Sequence, residues 1–231
     1  MSCKTWLMGA LLVLLLTAVG PSNLYADIVN GNFEAGNTGF SSNYLYVSPG
    51  ADPGGALQGL PGSMWTEGTY TVDTNPKANH NLWDAFGDHT TGTGKMLIAN
   101  GAIKTGLDVW IGENNPALLN PGIYMFSAWV ASVYSANPAV LHFKVNGTQI
   151  GSTFTASSTT GVWQPFTATF STGGGSPPTS FSSIDVNILS SGNDFALDDI
   201  HLQQVPDGGV TLMLLGGALL GLETLRRKFR V

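Results

Sequence analysis

The chain has 231 residues, of which only 10% are charged and 43% are hydrophobic, and its formal net charge is −6. This low charge, against about 25% in typical soluble proteins, comes with 10% aromatic residues, a composition that can bury a core and so excludes a disordered chain. No apolar run approaches the ~20 residues of a membrane-spanning helix, which excludes a polytopic transporter or channel.

The first 26 residues are typical of a secretory signal peptide. Lys4 provides a positive start, and Leu7 to Val19 form a 13-residue apolar helical core that a Gly-Pro pair ends. We expect cleavage after Ala26, which also removes Cys3, the only cysteine, so the exported protein has neither a thiol nor a disulfide. The alternative is an uncleaved anchor helix.

Residues 27–204 are predicted to form a single acidic domain without arginine. This domain contains four lysines and thirteen acidic residues, a net charge of −9. Nucleic-acid binding needs a basic surface, and phosphate recognition favours arginine, so neither is expected here. Hard divalent cations suit such a domain better.

Alternation of apolar and polar residues predicts strands along almost the whole domain, and no stretch is typical of a helix of three turns. The strands are predicted at residues 28–34, 64–73, 95–99, 107–112, 123–134, 140–146, 166–170, 184–188 and 195–203. The pair Asn146-Gly147 favours a type I′ hairpin turn after the strand at 140–146. About ten short antiparallel strands in a domain of this size predict a two-sheet sandwich or jelly roll.

Three short motifs stand in order along the domain: Asn30-Gly31-Asn32-Phe33-Glu34 near its start, Gly87-Asp88-His89-Thr90 in the middle, and Asp198-Asp199-Ile200 in the last strand. The ordered set resembles the galactose-binding-like jelly roll, a superfamily that includes many carbohydrate-binding modules, and also the MAM adhesion domain, although the cysteines of animal MAM domains are missing. The resemblance implies an all-β, two-sheet antiparallel jelly-roll sandwich, flanked here by the signal-peptide helix and a C-terminal hydrophobic helix.

The same resemblance implies that the first and last strands pair, which brings Glu34 close to Asp198. Neighbouring carboxylates repel one another unless a cation joins them, and Ca²⁺ accepts about six to eight oxygen ligands. We therefore expect a structural calcium ion bound by Glu34 and Asp198, with Asn32 and a backbone carbonyl as further candidate ligands. Because adjacent strand residues face opposite sides, Asp199 is expected to hold a turn or loop instead. In the alternative, these acids only accept hydrogen bonds from amides at the sheet edge.

Aromatic residues suggest two candidate sites for a polysaccharide, because sugar recognition uses flat aromatic faces beside amide or carboxylate groups. The first is a sheet-face patch opposite the predicted core, contiguous if its strands share one sheet: Trp129, His142, Lys144, Trp163, Asp185 and Asn187. The second is the loop rim, which four aromatic residues flank: Trp65, Tyr70, Trp83 and Trp110. For Trp129 and Trp163, purely structural packing is the alternative.

Enzyme signatures are missing from the sequence. It contains no Gly-x-Ser-x-Gly elbow, no His-Glu-x-x-His pair and no phosphate-binding or dinucleotide-binding loop. The histidines lack the spacing of a zinc site, and structural hydrogen bonding is the expected role of His89. Chance pairs among thirteen carboxylates do not indicate a glycosidase, so a protein without catalytic activity is predicted.

The C-terminal residues form a tail of three parts. Val205-Pro206-Asp207-Gly208-Gly209 precedes an apolar run, Val210 to Leu222, and a basic cluster that contains Arg226 and Arg227. The basic end resists translocation, so the tail is expected to pause in the inner membrane with the bulk of the protein outside. The tail resembles the PEP-CTERM class of sorting signals, in the variant that reads Val-Pro-Asp-Gly-Gly or Val-Pro-Asp-Ser-Gly. That resemblance implies a Gram-negative bacterium and an exosortase-type processing enzyme; a simple membrane anchor is the alternative.

Together these patterns predict an exported, calcium-stabilised sandwich at the cell surface or in the extracellular matrix that binds polysaccharide without catalysis. One alternative is a structural or adhesive matrix protein that binds itself or other proteins. A glycan hydrolase or lyase is the other.

Overall fold

The computed structural model describes residues 28–112, 121–173, 181–185 and 191–205, together with Gly216, Gly217 and Leu219, which are helical. The signal peptide, Asn187, the Asp185 side chain, Pro206 to Gly209, Arg226 and Arg227 lie outside the described residues. Within that part of the chain, no helix has both the length and the apolar character needed to cross a bilayer.

Short strands separated by loops make up the domain. They are β1 (Phe40–Ser41), β2 (Leu45–Tyr46), β3 (Thr69–Asp73), β4 (Met96–Asn100), β5 (Asp108–Gly112), β6 (Ile123–Ser132), β7 (Val140–Val145), β8 (Thr148–Thr155), β9 (Gln164–Ser171), β10 (Phe181–Asp185) and β11 (Phe195–Val205). A single 3-10 turn, Pro76–Ala78, is the only other regular element that begins and ends within the described residues.

The strands form two sheets, as the sequence predicted. One has five strands in the order β1-β5-β10-β7-β8, and the other has six in the order β2-β3-β4-β11-β6-β9. All pairs are antiparallel except β2 and β3, which are parallel. The hairpin between β7 and β8 is confirmed: Asn146 and Gly147 have φ of +49° and +74° and connect the paired residues Val145 and Thr148, the left-handed conformation that a type I′ turn requires.

The main hydrophobic core lies between the two sheets. Alternate residues of β6, Tyr124, Phe126, Ala128 and Val130, are buried in it, and the ring of Phe143 on β7 stacks at 4.3 Å on that of Phe166 on β9. The alternation seen in the sequence therefore assigns the inward face correctly. Burial of this apolar area is the main source of stability of such a sandwich.

A second hydrophobic cluster covers the outer face of the six-stranded sheet. Met96 and Ile98 of β4 point into this cluster with Trp83, while Leu97 and Ala99 of the same strand point into the main core. A strand that is buried on both faces needs a continuous apolar run, which Met96 to Ala99 supplies. The loops before and after β3 therefore pack on this sheet instead of projecting into solvent.

The predicted strand at residues 28–34 is wrong. This segment forms turns in which Asn30 and Phe33 have φ of +51° and +54°, and the Asn30 amide donates hydrogen bonds to the carbonyls of Gly36 and Thr38. The segment still reaches the last strand, because the Ile200 amide donates to the Gly31 carbonyl at 2.9 Å. The predicted strand at 64–73 likewise begins only at Thr69.

Candidate functional site

The loop between residues 87 and 94 is organised by Asp88. This side chain is 4% exposed and accepts hydrogen bonds from the amides of Thr91 and Gly94 and from the Thr91 hydroxyl. Burial alone would raise the pKa of Asp88, but the hydrogen bonds from Thr91, Gly94 and Thr93 outweigh burial and lower it. Asp88 therefore acts as an anionic centre around which the loop folds.

Asp198 and Asp199 on β11 bind the start of this loop. Asp198 is 1% exposed, and its carboxylate accepts the amides of His89 at 2.9 Å and of Asp199 at 2.8 Å. Burial raises the pKa of Asp198 to about 7, the His89 amide opposes this rise, and the charges of Asp199 and Asp88 add to it. The Asp199 carboxylate bonds to His89 Nδ1 at 2.7 Å and accepts the Thr90 hydroxyl.

An irregularity in β11 explains why both acids contact one loop. The pairing of β11 with β6 shifts register between Asp198 and His201, and Asp199 has φ of +45°. A bulge of this kind turns adjacent side chains away from strict alternation. Both Asp198 and Asp199 therefore hold the loop, although strict alternation along the strand would have placed their side chains on opposite sides of the sheet.

Glu34 binds the other end of the same loop. Its Oε1 accepts the Lys95 amide at 2.8 Å, and Lys95 Nζ donates to the Glu34 carbonyl at 3.2 Å. A Cβ placed on Gly94 would lie 2.0 Å from Glu34 Oε1 and 3.0 Å from Asp88 Oδ2, so the two carboxylates flank this glycine. Asn32 is exposed, and its side chain accepts the Glu34 amide at 3.4 Å.

The acidic loop site is defined here as Glu34, Asp88, Asp198 and Asp199. Its carboxylates are hard oxygen donors, the type of ligand that calcium prefers. The ammonium group of Lys95 lies beside Glu34. Among the residues that the structure describes, no three His, Cys, Asp or Glu side chains form a metal-binding group. Calcium binding at this site stays a prediction.

Trp129 and Trp163, two residues of the predicted sheet-face patch, also contact the loop. The His89 ring stacks on Trp129 with 3.8 Å between ring centroids and 17° between planes. Trp163 Nε1 donates to the Gly87 carbonyl at 3.2 Å, and its ring meets His89 edge-on. One face of Trp129 is thus already occupied by protein.

The other described residues of that patch, His142, Lys144 and Asp185, belong to the opposite sheet, so these residues do not form the contiguous patch with Trp129 that the sequence suggested. His142 and Lys144 lie on β7 of the five-stranded sheet, whereas Trp129 lies on β6 of the six-stranded sheet. Asp185 is the last residue of β10, next to β7. His142 Nε2 bonds to the Thr153 hydroxyl at 2.9 Å, and Lys144 Nζ pairs with Asp108 at 3.3 Å.

The loop rim contains a cavity of about 140 Å³ at the end of the six-stranded sheet. Asn100 at the end of β4, Tyr134 after β6 and Asp194 before β11 contribute to it. The loops on either side of β3 add Trp65, Glu67, His80 and Trp83, and the remaining lining residues are Gln58, Leu82, Ser191 and Gly192. We call this the rim cavity.

A stack of three rings forms one wall of the rim cavity. Trp65 stacks on His80 at 3.8 Å, and His80 stacks on Trp83 at 4.6 Å. Trp83 Nε1 donates to Asp194 at 3.1 Å, and Trp65 Nε1 donates to the Pro53 carbonyl. The stack therefore fixes the two long loops to the sheet. The other two aromatic residues predicted for the rim, Tyr70 and Trp110, are instead buried in the main core.

Two ionisable groups of the rim cavity have shifted pKa values. Burial raises the pKa of Glu67 to about 7, and its buried Oε2 has no hydrogen-bond partner. Burial lowers the pKa of His80 to about 4, and its Nδ1 accepts the Leu82 amide at 3.3 Å. Sequence analysis missed both residues, because neither lies in a motif and only the folding of separate loops brings them together.

Comparison with known proteins supports both the tail and the fold. Residues 204–229 match the VPDSG-CTERM motif, which confirms the predicted sorting motif and indicates an exported protein. The fold is similar to that of an apo-form cyclase from Fischerella sp., with a TM-score of 0.51 and 14% identity over 81% of this chain and 98% of that chain. The chain is thus an all-β, two-sheet jelly-roll sandwich that carries a VPDSG-CTERM motif.

Two further solved structures have lower TM-scores. The CBM22-1 xylan-binding domain from Paenibacillus barcinonensis Xyn10C has a TM-score of 0.41 and 14% identity, over 62% of this chain and 91% of that chain. A sugar-binding protein, the EclA C-terminal domain, has a TM-score of 0.33 and 17% identity over 36% of this chain, and the match spans only 59% of that chain. No curated protein matches the sequence.

Proposed function

We propose that the protein is exported, processed by an exosortase-type enzyme, and retained at the cell surface or in the extracellular matrix, where it binds polysaccharide without catalysis. The sorting motif at residues 204–229 supports the first part of this proposal. The rim cavity supports the second.

The observation that carries the binding function is the buried Oε2 of Glu67 in the rim cavity, which has no hydrogen-bond partner. An unpaired buried oxygen costs free energy, and a ligand that donates a hydrogen bond removes this cost. Gln58, Asn100 and Tyr134 line the same cavity, and the Asn100 amide nitrogen donates to the Met64 carbonyl at 2.7 Å. Hydroxyl groups of a sugar are donors and acceptors that match such a lining, and aromatic rings contact the apolar side of a sugar.

The rim cavity is a better candidate than the sheet face for a physical reason. Protein covers one face of the aromatic rings at both places, because His89 stacks on Trp129 and His80 stacks on Trp65 and Trp83. The difference between the two places therefore lies in the polar groups. His142 and Lys144 are engaged by Thr153 and Asp108 on the opposite sheet. At the rim, by contrast, Leu82 is 58% exposed and borders the cavity, and Glu67 of the same lining has a carboxylate oxygen without a hydrogen-bond partner.

A structural calcium ion at the acidic loop site forms part of the proposal. Glu34 and Asp198 would be its side-chain ligands, with Asn32 and backbone carbonyls as further candidates. The raised pKa of the buried Asp198 supports this assignment, because a nearby cation stabilises the ionised carboxylate that burial destabilises. The ion would join the two ends of the 87–94 loop to the first segment and the last strand, so its role is structural.

Retention of the protein on a panel of immobilised glycans tests the function. We expect retention on at least one polysaccharide, its loss in Leu82→Asp, and wild-type retention in Thr153→Ala, which removes the hydroxyl that bonds to His142 on the five-stranded sheet. Loss in Trp129→Ala with retention in Leu82→Asp would move the site to the sheet face. No retention on any glycan, together with calcium-dependent self-association, would favour an adhesive protein, and new reducing ends would indicate an enzyme.

The processing part of the proposal needs a separate experiment. Replacing Pro206 to Gly209 by alanines is expected to leave a larger species in the membrane fraction, because the processing enzyme no longer recognises the tail. Unchanged size and release of the altered protein would contradict exosortase-type processing.

A further inference from the structure

The charges of the residues that line the rim cavity are one-sided, and the cation beside the lining, Lys77, donates to the carbonyls of Asn81 and Trp83. Two carboxylates, Glu67 and Asp194, belong to the lining, and the only other titratable side chains among the described lining residues are His80 and Tyr134. His80 is the only basic side chain among these lining residues, and burial between two indoles lowers its pKa to about 4. The lining therefore contains no positive charge at neutral pH.

The two carboxylates have different surroundings. The Asp194 oxygens accept hydrogen bonds from Trp83 Nε1 at 3.1 Å and from the Gly101 amide at 3.2 Å, so Asp194 is held in the wall by donors of the protein. Glu67 Oε2 accepts no hydrogen bond from the described residues although it is buried. Glu67 is therefore the acid of the lining whose oxygen the fold leaves without a donor, so a ligand that reaches this carboxylate can supply one.

We propose that Glu67 makes the rim cavity selective for uncharged sugar residues: a sugar hydroxyl donates to Oε2 of Glu67, and sugars that carry a carboxylate are rejected. This inference rests on the proposed polysaccharide-binding function and names the class of glycan. It follows from two effects of the same oxygen. A hydroxyl gains a charge-assisted hydrogen bond from an ionised carboxylate, whereas an anionic sugar meets a like charge that no cation of the lining offsets.

Glu67 also gives the selectivity a dependence on pH. Above about pH 7 the Glu67 carboxylate is ionised, so its repulsion of an anionic sugar is strongest there. Below that pH, protonation removes the part of the repulsion that Glu67 contributes. The carboxylate of a uronic acid is ionised across this range, and His80, with a pKa of about 4, stays neutral. The ratio of affinities for neutral and acidic sugars is thus expected to increase as the pH rises from 5.5 to 8.5.

The experiment measures the affinity of the full chain for pairs of oligosaccharides that differ only in the carboxylate: mannose against mannuronic acid oligomers, and galactose against galacturonic acid oligomers. In the wild-type protein at pH 8.5 we expect the neutral member of the pair that binds best to bind at least tenfold more tightly. In Glu67→Gln we expect this ratio to fall at least fivefold and to lose its pH dependence. Asp108→Asn, which removes the same charge on the opposite sheet, serves as the control and is expected to keep the wild-type ratio.

Glu67→Asp keeps the charge and is expected to retain the selectivity, and circular dichroism checks that each variant is folded. A wild-type ratio in folded Glu67→Gln, or equal binding of neutral and acidic oligomers by the wild-type protein, would overturn the inference while leaving polysaccharide binding intact. Absence of binding to any of the oligomers and to the whole glycan panel would overturn the proposed function and this inference with it.

Discussion

The acidic loop site and the rim cavity each contain a carboxylate whose pKa burial raises to about 7, yet the two acids differ in their partners. Asp198 in the acidic loop site accepts two backbone amides. Glu67 in the rim cavity has a buried Oε2 without any partner. The same pKa thus accompanies a satisfied carboxylate in one region and an unsatisfied one in the other.

The difference indicates two kinds of site. One donor to Asp198 is the His89 amide of the loop that it fixes, and the other is the Asp199 amide of β11. Removing Asp198 therefore leaves both amides unsatisfied, and the cost falls on folding. Nothing in the described residues depends on Glu67 Oε2, so its removal costs the fold little and a ligand has most to gain from it. A shifted pKa alone does not separate structural acids from binding acids, whereas the hydrogen-bond partners do.

The largest effect is expected from Gly31→Ala, which breaks the contact that holds the first segment on β11. A Cβ at Gly31 would lie 2.1 Å from the carbonyl oxygen of Ile200, and this backbone atom cannot move without displacing the bulge at Asp199. We expect a loss of about 3 kcal/mol in the free energy of unfolding, the upper range for overpacking, measured by urea denaturation.

Gly54→Ala is the control for this prediction. A Cβ at Gly54 meets nothing within 4 Å, so this variant is expected to unfold at the wild-type urea concentration. Equal stability of Gly31→Ala and Gly54→Ala would show that the first segment does not pack on β11 as the structure has it.

The next largest effect concerns calcium and separates the two acids directly. If calcium binds only the folded protein, a hundredfold excess over Kd adds about 2.7 kcal/mol to the free energy of unfolding. EDTA should therefore lower the Tm of the wild-type protein. Asp198→Asn and Glu34→Gln are expected to abolish this difference, because each removes a charged ligand, and Glu67→Gln is expected to retain it.

Two outcomes of the calcium experiment would contradict the division into a structural site around Asp198 and a binding site around Glu67. Identical melting of the wild-type protein with calcium and with EDTA would rule out the structural ion. Loss of the calcium effect in Glu67→Gln would mean that the two regions are not independent.

The strands could be predicted where sequence periodicity reflects burial. Tyr124, Phe126, Ala128 and Val130 alternate in the sequence and are buried on one side of β6. The prediction failed at residues 28–34, where the Asn30 side chain replaces strand pairing by binding the carbonyls of Gly36 and Thr38. Such local competition by an asparagine with the backbone leaves no signal in the spacing of apolar residues.

The sites were predictable only where motifs stand in the sequence. Glu34 and Asp198 were identified from the first and last motifs, and both contact the 87–94 loop. The sheet assignment of Trp129 and Lys144 was beyond reach, because parity defines a face within a strand but not which sheet the strand joins. Glu67 and His80 line one cavity but belong to separate loops. The spacing of apolar residues does not determine the path of a loop, so it could not predict that these two residues lie at the same place.

The smallest effect is expected in the pH dependence of stability and isolates Glu67. The folded-state pKa of about 7 lies above the ordinary value of 4.5, so the folded protein binds more protons between these values, and stability falls as the pH rises from about 4.5 through 7. Glu67→Gln lacks this loss. Because solvent screens the half-buried carboxylate, we expect the variant to gain only about 1 kcal/mol relative to the wild-type protein between pH 5 and pH 8.

Urea denaturation of both proteins across this pH range measures the difference, and Asp198, which titrates in both, cancels from it. Parallel curves would mean that Glu67 carries no desolvation cost in the folded protein. Its Oε2 would then already have a partner, and the contrast with Asp198 would disappear. The two stability curves are expected to diverge as the pH rises and to converge again when a neutral oligosaccharide is added. This result would connect the unpaired oxygen of Glu67 to the ligand, because a sugar hydroxyl then supplies the hydrogen bond that folding leaves unmade.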